Sequence, residues 1–199
     1  VITDHHQPLR EELPSALCIV NPWQPGCAYP FKELSGVGVT YKLARALGVQ
    51  AQKKYLDLVA FGTVCDIAPL LNENRLLVKY GLRQFEEGTN VGLQALRKIA
   101  GVRTKKIGVG HLGFIFGPRV NASGRLGSAE CALRLLITDN AKEADGFAVV
   151  LNEENKERQR VERLILDEAV RRVEQDVNFN KEKVIVVWSY SWHLGVIGI

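Results

Sequence analysis

The order of the apolar segments constrains the fold of this chain more than any other feature. Two short apolar runs, Val1–Thr3 and Ala16–Val20, have the composition of buried strands, and Asn21-Pro22 closes the second one. The segments that follow them up to residue 140 have helical spacing instead. Short buried strands combined with helices predict an α/β lobe that is built on a parallel sheet.

The predicted helices of this lobe end at glycines or turns. They span Gly36–Leu47, Lys53–Val64, Asn72–Glu87, Val91–Ala100, Ile107–Phe116 and Ala129–Ile137. Between the last two, the segment that begins at Gly117-Pro118 is predicted to be a glycine-rich loop. We therefore expect a mainly helical lobe over residues 1–140.

A long helical pattern follows this lobe. It runs from Ala141 to about Val177, and its middle, Asn152 to Arg160, contains no apolar residue. A helix that is polar all round bridges domains or lines a wet cleft, so we expect a connecting helix over residues 141–178. Val184–Trp188 is then predicted as the first strand of a second lobe, which begins in residues 179–199.

Composition adds limits on the class of protein. No run of about 18 apolar residues is present, so neither a membrane span nor a membrane partner is expected. The four cysteines form no C-x-x-C pair, and their scatter is typical of a reduced, cytoplasmic protein. Because the chain has no methionine and ends on an apolar run, we expect it to be a piece of a longer protein.

Asp4, His5 and His6 directly follow the first predicted strand. A carboxylate beside neutral imidazoles is a donor set for manganese, magnesium or zinc, and open α/β sheets bind their ligands at the carboxyl ends of strands. Asp66 is the best further ligand, because it follows an apolar helix and lone buried carboxylates are costly. The alternatives are a solvated surface turn for the histidines and a helix-capping or salt-bridged role for Asp66.

A second group of residues predicts anion binding. Gly88 to Ala129 contains no acidic residue but seven basic ones, which suits a polyanion: Arg97, Lys98, Arg103, Lys105, Lys106, Arg119 and Arg125. Within and beyond this segment, the candidate phosphate contacts are Arg119, Asn121, Ser123, Arg125, Asn155, Arg158 and His193. The alternatives are a solvated basic face and an ion pair between Glu154 and Arg158.

Together these features resemble the DHH phosphoesterase family, and within it the RecJ-type single-stranded-DNA exonucleases. The resemblance covers nearly the whole chain, in order, through the segments TDHH, LSGVGVTYKLARAL, GTVCDIAPL, GPRVNASGRLGSAECALRLL, LNEENKERQ and WHLGVIGI. The fold that it implies is the C-terminal part of a DHH lobe, a connecting helix and the start of a DHHA1-type α/β lobe. The segment around Arg125 is its most specific match.

The resemblance implies a metal-dependent phosphodiester hydrolase that degrades single-stranded DNA from 5′ to 3′ in DNA repair and recombination. By analogy with the family, His5 and Asp66 ligate metal, Asp4 orients the site and is a further candidate ligand, and His6 contacts the scissile phosphate. Two ions of Mn²⁺ or Mg²⁺ are implied. Nucleic-acid phosphates would be held by Arg119, Asn121, Ser123, Arg125, Asn155, Arg158 and His193. A single-strand-binding protein or a helicase is an implied partner.

Parts of the family pattern are missing from this sequence. Further metal-binding aspartates are expected upstream of Asp4, and the closing motif of the DHHA1 domain and an OB-type domain are expected downstream. We therefore expect the 199-residue chain alone to be nearly inactive. Two other functions remain open: a DHH phosphodiesterase for short oligonucleotides, cyclic dinucleotides or pyrophosphate, and a DHH-derived scaffold that binds DNA without cleaving it.

Overall fold

The computed structural model describes residues 1–8, 13–49, 53–179 and 181–198. Two short strands, β1 (Ile2–Thr3) and β2 (Ile19–Val20), pair in parallel with Ile2 opposite Ile19 and Thr3 opposite Val20. The predicted parallel sheet is therefore confirmed, as a two-stranded ladder among the described residues. Its carboxyl edge places Asp4 immediately beyond the last paired residue of β1.

Helices build the rest of the described chain. In order they are α1 (Gly36–Ala46), α2 (Leu56–Cys65), α3 (Asn72–Glu87), α4 (Val91–Ile99), α5 (Val109–His111), α6 (Gly117–Leu126), α7 (Glu130–Ile137), α8 (Ala141–Asp176) and α9 (Leu194–Ile197). A 3₁₀ turn (Lys53–Tyr55) leads into α2, and a π-helical turn (Leu112–Phe116) joins α5 to α6. Among the described residues, none of these helices is both long and apolar enough to cross a membrane.

The hydrophobic core lies among α2, α3, α4, α6, α7 and α8. Helix α2 is apolar on all sides because α1 and α3 cover it from two directions, and Val59, Ala60 and Phe61 are at most 3% exposed. Gly81 lets α3 pack directly on the backbone of α2, since a Cβ atom there would overlap the Leu56 carbonyl oxygen. This close packing fixes the N-terminal half of α2, while Asp66 follows the opposite end of the helix.

The prediction of a glycine-rich loop after Phe116 is wrong. The helix continues from Val109 to Leu126 through the π turn, and the supposed loop residues form α6. Pro118 is tolerated because it lies in the first turn of α6, where a missing N–H costs little. Position 117 is occupied by glycine for a different reason: a Cβ atom there would lie only 2.7 Å from Cys65 Sγ on α2.

The long helix predicted from Ala141 to about Val177 is confirmed as α8, and its role as a connector stays a prediction. It begins after Asn140, whose side chain accepts bonds from the N–H groups of Lys142 and Glu143. The strand predicted at Val184–Trp188 is wrong: the described structure has extended chain there without a ladder. A strand requires a neighbouring strand, whereas Val184 is 73% and Val186 79% exposed. The division into two lobes stays a prediction.

Candidate active site

The Asp4-His5-His6 segment forms a tight turn that is organised by one carboxylate. Asp4 Oδ1 accepts hydrogen bonds from the His5 N–H (2.7 Å), the His6 N–H (3.3 Å) and His6 Nδ1 (2.8 Å). The hydrogen bond from the His6 side chain is the main reason that the pKa of Asp4 is lowered. Asp4 therefore fixes the backbone of the turn and orients the His6 ring directly.

His5 points toward the beginning of α1, where glycine leaves room for its ring. A Cβ atom on Gly36 would lie 3.3 Å from His5 Cδ2, closer than most real Cβ contacts. Ser35, the N-cap of α1, shares a buried 2.7 Å hydrogen bond with Thr63 Oγ1 on α2. Sequence reasoning missed this hydroxyl pair, which joins the start of α1 to the last turn of α2, three residues before Asp66.

Asp66 is the C-cap of α2, and its position is fixed by an unusual helix end. The N–H groups of Ile67 and Ala68 bond to the carbonyls of Val64 and Thr63, which is the Schellman pattern. This pattern requires a left-handed residue after the cap, and Ile67 supplies it with φ +56°. A β-branched residue rarely adopts that conformation, so the backbone is strained directly beside Asp66.

His5 and Asp66 meet at the resulting cleft. His5 Nε2 lies 3.4 Å from Asp66 Oδ2, with the side chains 22% and 39% exposed. Two ligands of one divalent ion, each about 2.1 Å from it, are about 3.0–3.4 Å apart in octahedral or tetrahedral geometry. The imidazole and the carboxylate therefore fit a shared metal ion, and the expectation that these two side chains approach within ligating reach is confirmed.

The polar residues predicted to bind anions divide into two groups in the structure. Asn121, Arg125 and Arg158 line one cleft beside the end of α2. Arg158 is 8% exposed and is held by Asn155 Oδ1 (3.2 Å) and Glu162 Oε2 (2.7 Å). The acid that pairs with Arg158 is thus Glu162 rather than Glu154, and the pair fixes the guanidinium at the cleft wall.

Arg119 and Ser123 are engaged within the fold instead. Arg119 donates to the Ile115 carbonyl (2.5 Å) and to Asn152 Oδ1 (3.0 Å), so it joins α6 to α8. Ser123 is fully buried, and its hydroxyl donates to the Ser128 carbonyl (2.5 Å). Both side chains were predicted to bind phosphate. The Ser123 hydroxyl donates its proton within the fold instead, and two of the five N–H donors of Arg119 are engaged within the fold.

His193 lies at the N-cap of α9, close to the end of α6. Its Nδ1 accepts from the Gly195 N–H (3.2 Å), and the Gly195 carbonyl accepts from Arg125 Nη1 (3.2 Å). A Cβ at Gly195 would overlap the Arg125 carbonyl oxygen, so only glycine permits this backbone contact. The structure thus brings His193 to the same end of the cleft as Arg125.

Comparison with known proteins tests the resemblance. Residues 1–63 match the family model described as "DHH family, N-terminal domain". The single-stranded-DNA-specific exonuclease RecJ of Bacillus subtilis (strain 168) is 43% identical over all 199 residues of this chain, which cover 25% of that protein. All 199 residues of this chain are homologous to part of RecJ. RecJ of Escherichia coli (strain K12) is 34% identical over the whole chain, which covers 37% of its length.

The fold agrees with this relationship. The crystal structure of RecJ from Thermus thermophilus in complex with Mn²⁺ matches 98% of this chain with a TM-score of 0.80 and 36% identity, and the match covers 29% of that chain. The chain thus spans roughly a quarter to two fifths of the length of these RecJ relatives. The homology extends through α6 and α8, beyond the residues that the DHH model matches.

Proposed function

We propose that this chain carries part of the active site of a metal-dependent exonuclease that hydrolyses single-stranded DNA from 5′ to 3′ in DNA repair and recombination. The observation that carries the proposal is the 3.4 Å approach of His5 Nε2 to Asp66 Oδ2 beside a cleft that holds Arg125 and Arg158. The RecJ relatives and the Mn²⁺ complex support the same assignment. Cytoplasmic location and an interaction with a single-strand-binding protein or a helicase belong to this proposal.

Two ions of Mn²⁺ or Mg²⁺ would be held by His5, Asp66 and Asp4, with ligands from outside this chain. Such ions would lower the pKa of an attacking water and neutralise charge on the phosphate. The residues of the chain would orient this site: Asp4 fixes the backbone of the turn and the His6 ring, and the exposed His6 would face the incoming phosphate. Cys65 beside the site stays a thiol, because burial raises its pKa to about 12.

His5→Ala, in the native protein that contains this chain, tests whether His5 serves as a metal ligand while the arginines supply DNA affinity. We expect turnover of single-stranded DNA to be abolished and Mn²⁺ affinity, measured by calorimetry, to fall steeply, because a metal ligand is lost. DNA affinity measured in the presence of EDTA should change little, because the arginines supply it. The isolated 199-residue chain should be nearly inactive in the same assay.

A matched histidine provides the control. His111 on α5 accepts a bond from the Gly108 N–H and lines neither cleft, so His111→Ala should leave Mn²⁺ affinity and turnover unchanged. Equal losses of DNA binding, metal binding and thermal stability in His5→Ala would mean that His5 supports the fold. An active native protein that binds DNA but needs no divalent ion would refute the metal assignment.

A further inference from the structure

The cleft that contains Arg125 and Arg158 has a second, apolar part that phosphate binding does not explain. It has a volume of about 470 Å³, which is within the range of small-molecule sites, and it lies between the end of α2 and the π turn with α6. Val64, Leu70 and Phe114 contribute apolar walls, whereas the described residues that line it include no acid. An apolar chamber whose lining also includes the guanidinium groups of Arg125 and Arg158 suits a planar ring that is attached to an anion.

The apolar chamber directly adjoins the proposed metal site. Ile67 and Ala68 line both the chamber and the smaller cleft that holds His5 and Asp66. Ile67 is therefore the partition between them, and it is 90% exposed in a strained left-handed conformation. A large apolar side chain that is kept exposed at the expense of backbone strain indicates a contact with a ligand rather than a role in packing.

Phe114 is the second unexplained apolar side chain. It lies in the π turn, a helix irregularity that is frequent at functional sites, and it is 86% exposed while Leu112 and Phe116 on either side are fully buried. A Cβ atom built on the neighbouring Gly113 would lie 3.5 Å from Val64 Cγ1, so the turn runs alongside α2. The Phe114 ring thus lines the chamber from a turn that packs beside α2.

We infer that this chamber is a nucleobase subsite, in which a base of the single strand stacks on Phe114 while Ile67 separates it from the neighbouring base. This inference rests on the proposed function and deepens it. Arg125 and Asn121 would hold the phosphate that is attached to the same nucleotide. A base must leave its partner and its neighbours to enter, so the subsite selects single-stranded over double-stranded DNA. Stacking tolerates every base, so no sequence preference follows.

The test is an abasic scan combined with Phe114→Ala in the native protein. Affinity for a fluorescent oligonucleotide is measured in EDTA, with one abasic position moved along the strand. Phe114→Ala should weaken binding of the intact strand about 5- to 150-fold, the range for loss of one base–aromatic stack. At one abasic position alone, this loss should disappear, because the base that Phe114 contacts is already absent. Phe114→Trp should retain or improve binding.

Controls separate the subsite from the fold and from the proposed function. Phe179 is also an exposed phenylalanine (64%) but does not line the chamber, so Phe179→Ala should bind intact and abasic strands like the wild type. If Phe114→Ala weakens binding to all abasic strands equally, or if its melting temperature falls sharply while DNA affinity is unchanged, the chamber is filled by protein and the inference is overturned. A wild-type protein that neither binds nor cleaves single strands refutes the proposed function instead.

Discussion

Replacing Ile67 with glycine is expected to stabilise the protein and to reduce its activity at the same time. Three other helices of the described structure end at a left-handed glycine, namely Gly48, Gly88 and Gly101, with φ between 70° and 80°. Helix α2 has Ile67 at φ +56° in the equivalent place. The left-handed conformation costs a non-glycine residue about 1–2 kcal/mol, which glycine would recover.

The net gain follows from two opposing contributions. Glycine in the unfolded chain has more freedom to lose, which removes about 0.5–1 kcal/mol of the gain. The Ile67 side chain is 90% exposed, so little burial is lost. We therefore expect Ile67→Gly to raise the free energy of unfolding by about 0.5–1 kcal/mol, or the melting temperature by about 1–4 °C. Turnover should fall about tenfold, since contact with a base is worth about 1.5 kcal/mol.

Thermal and urea denaturation followed by circular dichroism measure the first effect, and steady-state cleavage of an oligonucleotide measures the second. Ile67→Ala should lose the same activity without the gain in stability, because alanine remains strained. Gly101→Ala tests the strain at a site where an added Cβ meets nothing within 4 Å, and it should destabilise by about 1 kcal/mol. The reasoning is refuted if Ile67→Gly is less stable than the wild type, or is more stable with undiminished turnover.

Three further outcomes are expected. Gly81→Ala should lower the free energy of unfolding in urea by about 2 kcal/mol, because the overlap of its Cβ with the backbone of α2 outweighs the gain in helix propensity. Gly146→Ala, where the added Cβ on α8 meets nothing within 4 Å, should instead raise the free energy of unfolding by up to about 1 kcal/mol. Burial raises the pKa of Asp57, so its folded state binds a proton more tightly than the unfolded state does; stability should fall as pH rises through that raised pKa, and Asp57→Asn should flatten the profile. Arg125→Ala should weaken binding of all single strands alike and reduce the log–log salt slope by about 0.7 in a salt titration, since one phosphate contact is lost; an unchanged slope would contradict the assignment.

The sequence predicted well the parts of the structure that depend on local signals. Asn72–Glu87 was bounded correctly as a helix because a glycine follows it. Helix α8 was predicted because no glycine or proline interrupts the helical pattern between Gly146 and about Val177. The meeting of His5 and Asp66 was also predicted, first because an acid that follows an apolar helix calls for a partner and then from the resemblance to a family, although the two residues lie far apart in the sequence. Spacing alone does not predict which strand end and which helix end come together.

The errors have physical causes that a single sequence hides. Gly117-Pro118 has the composition of a turn, but the glycine is there for close packing on Cys65 and the proline for the first turn of a helix. The polar middle of α8 was expected to bridge domains or to line a wet cleft, yet Asn152 and Asn155 are buried. Asn152 accepts a hydrogen bond from Arg119 of α6, and Asn155 accepts one from Arg158 of α8. Burial of that kind depends on a neighbour that the pattern of one helix does not reveal.

The length of α8 amplifies small changes in its direction. At 1.5 Å per residue its 36 residues extend for about 54 Å, and the part from Arg158 to Asp176 is about 27 Å long. If α8 pivoted by about 5° near Arg158, Asp176 would move by about 2 Å. The segment that carries His193 is attached to this part of α8, since Trp192 Nε1 donates to Glu168 Oε2 (3.0 Å). A change in the direction of α8 would therefore move His193 and Gly195 relative to Arg125, which donates to the Gly195 carbonyl.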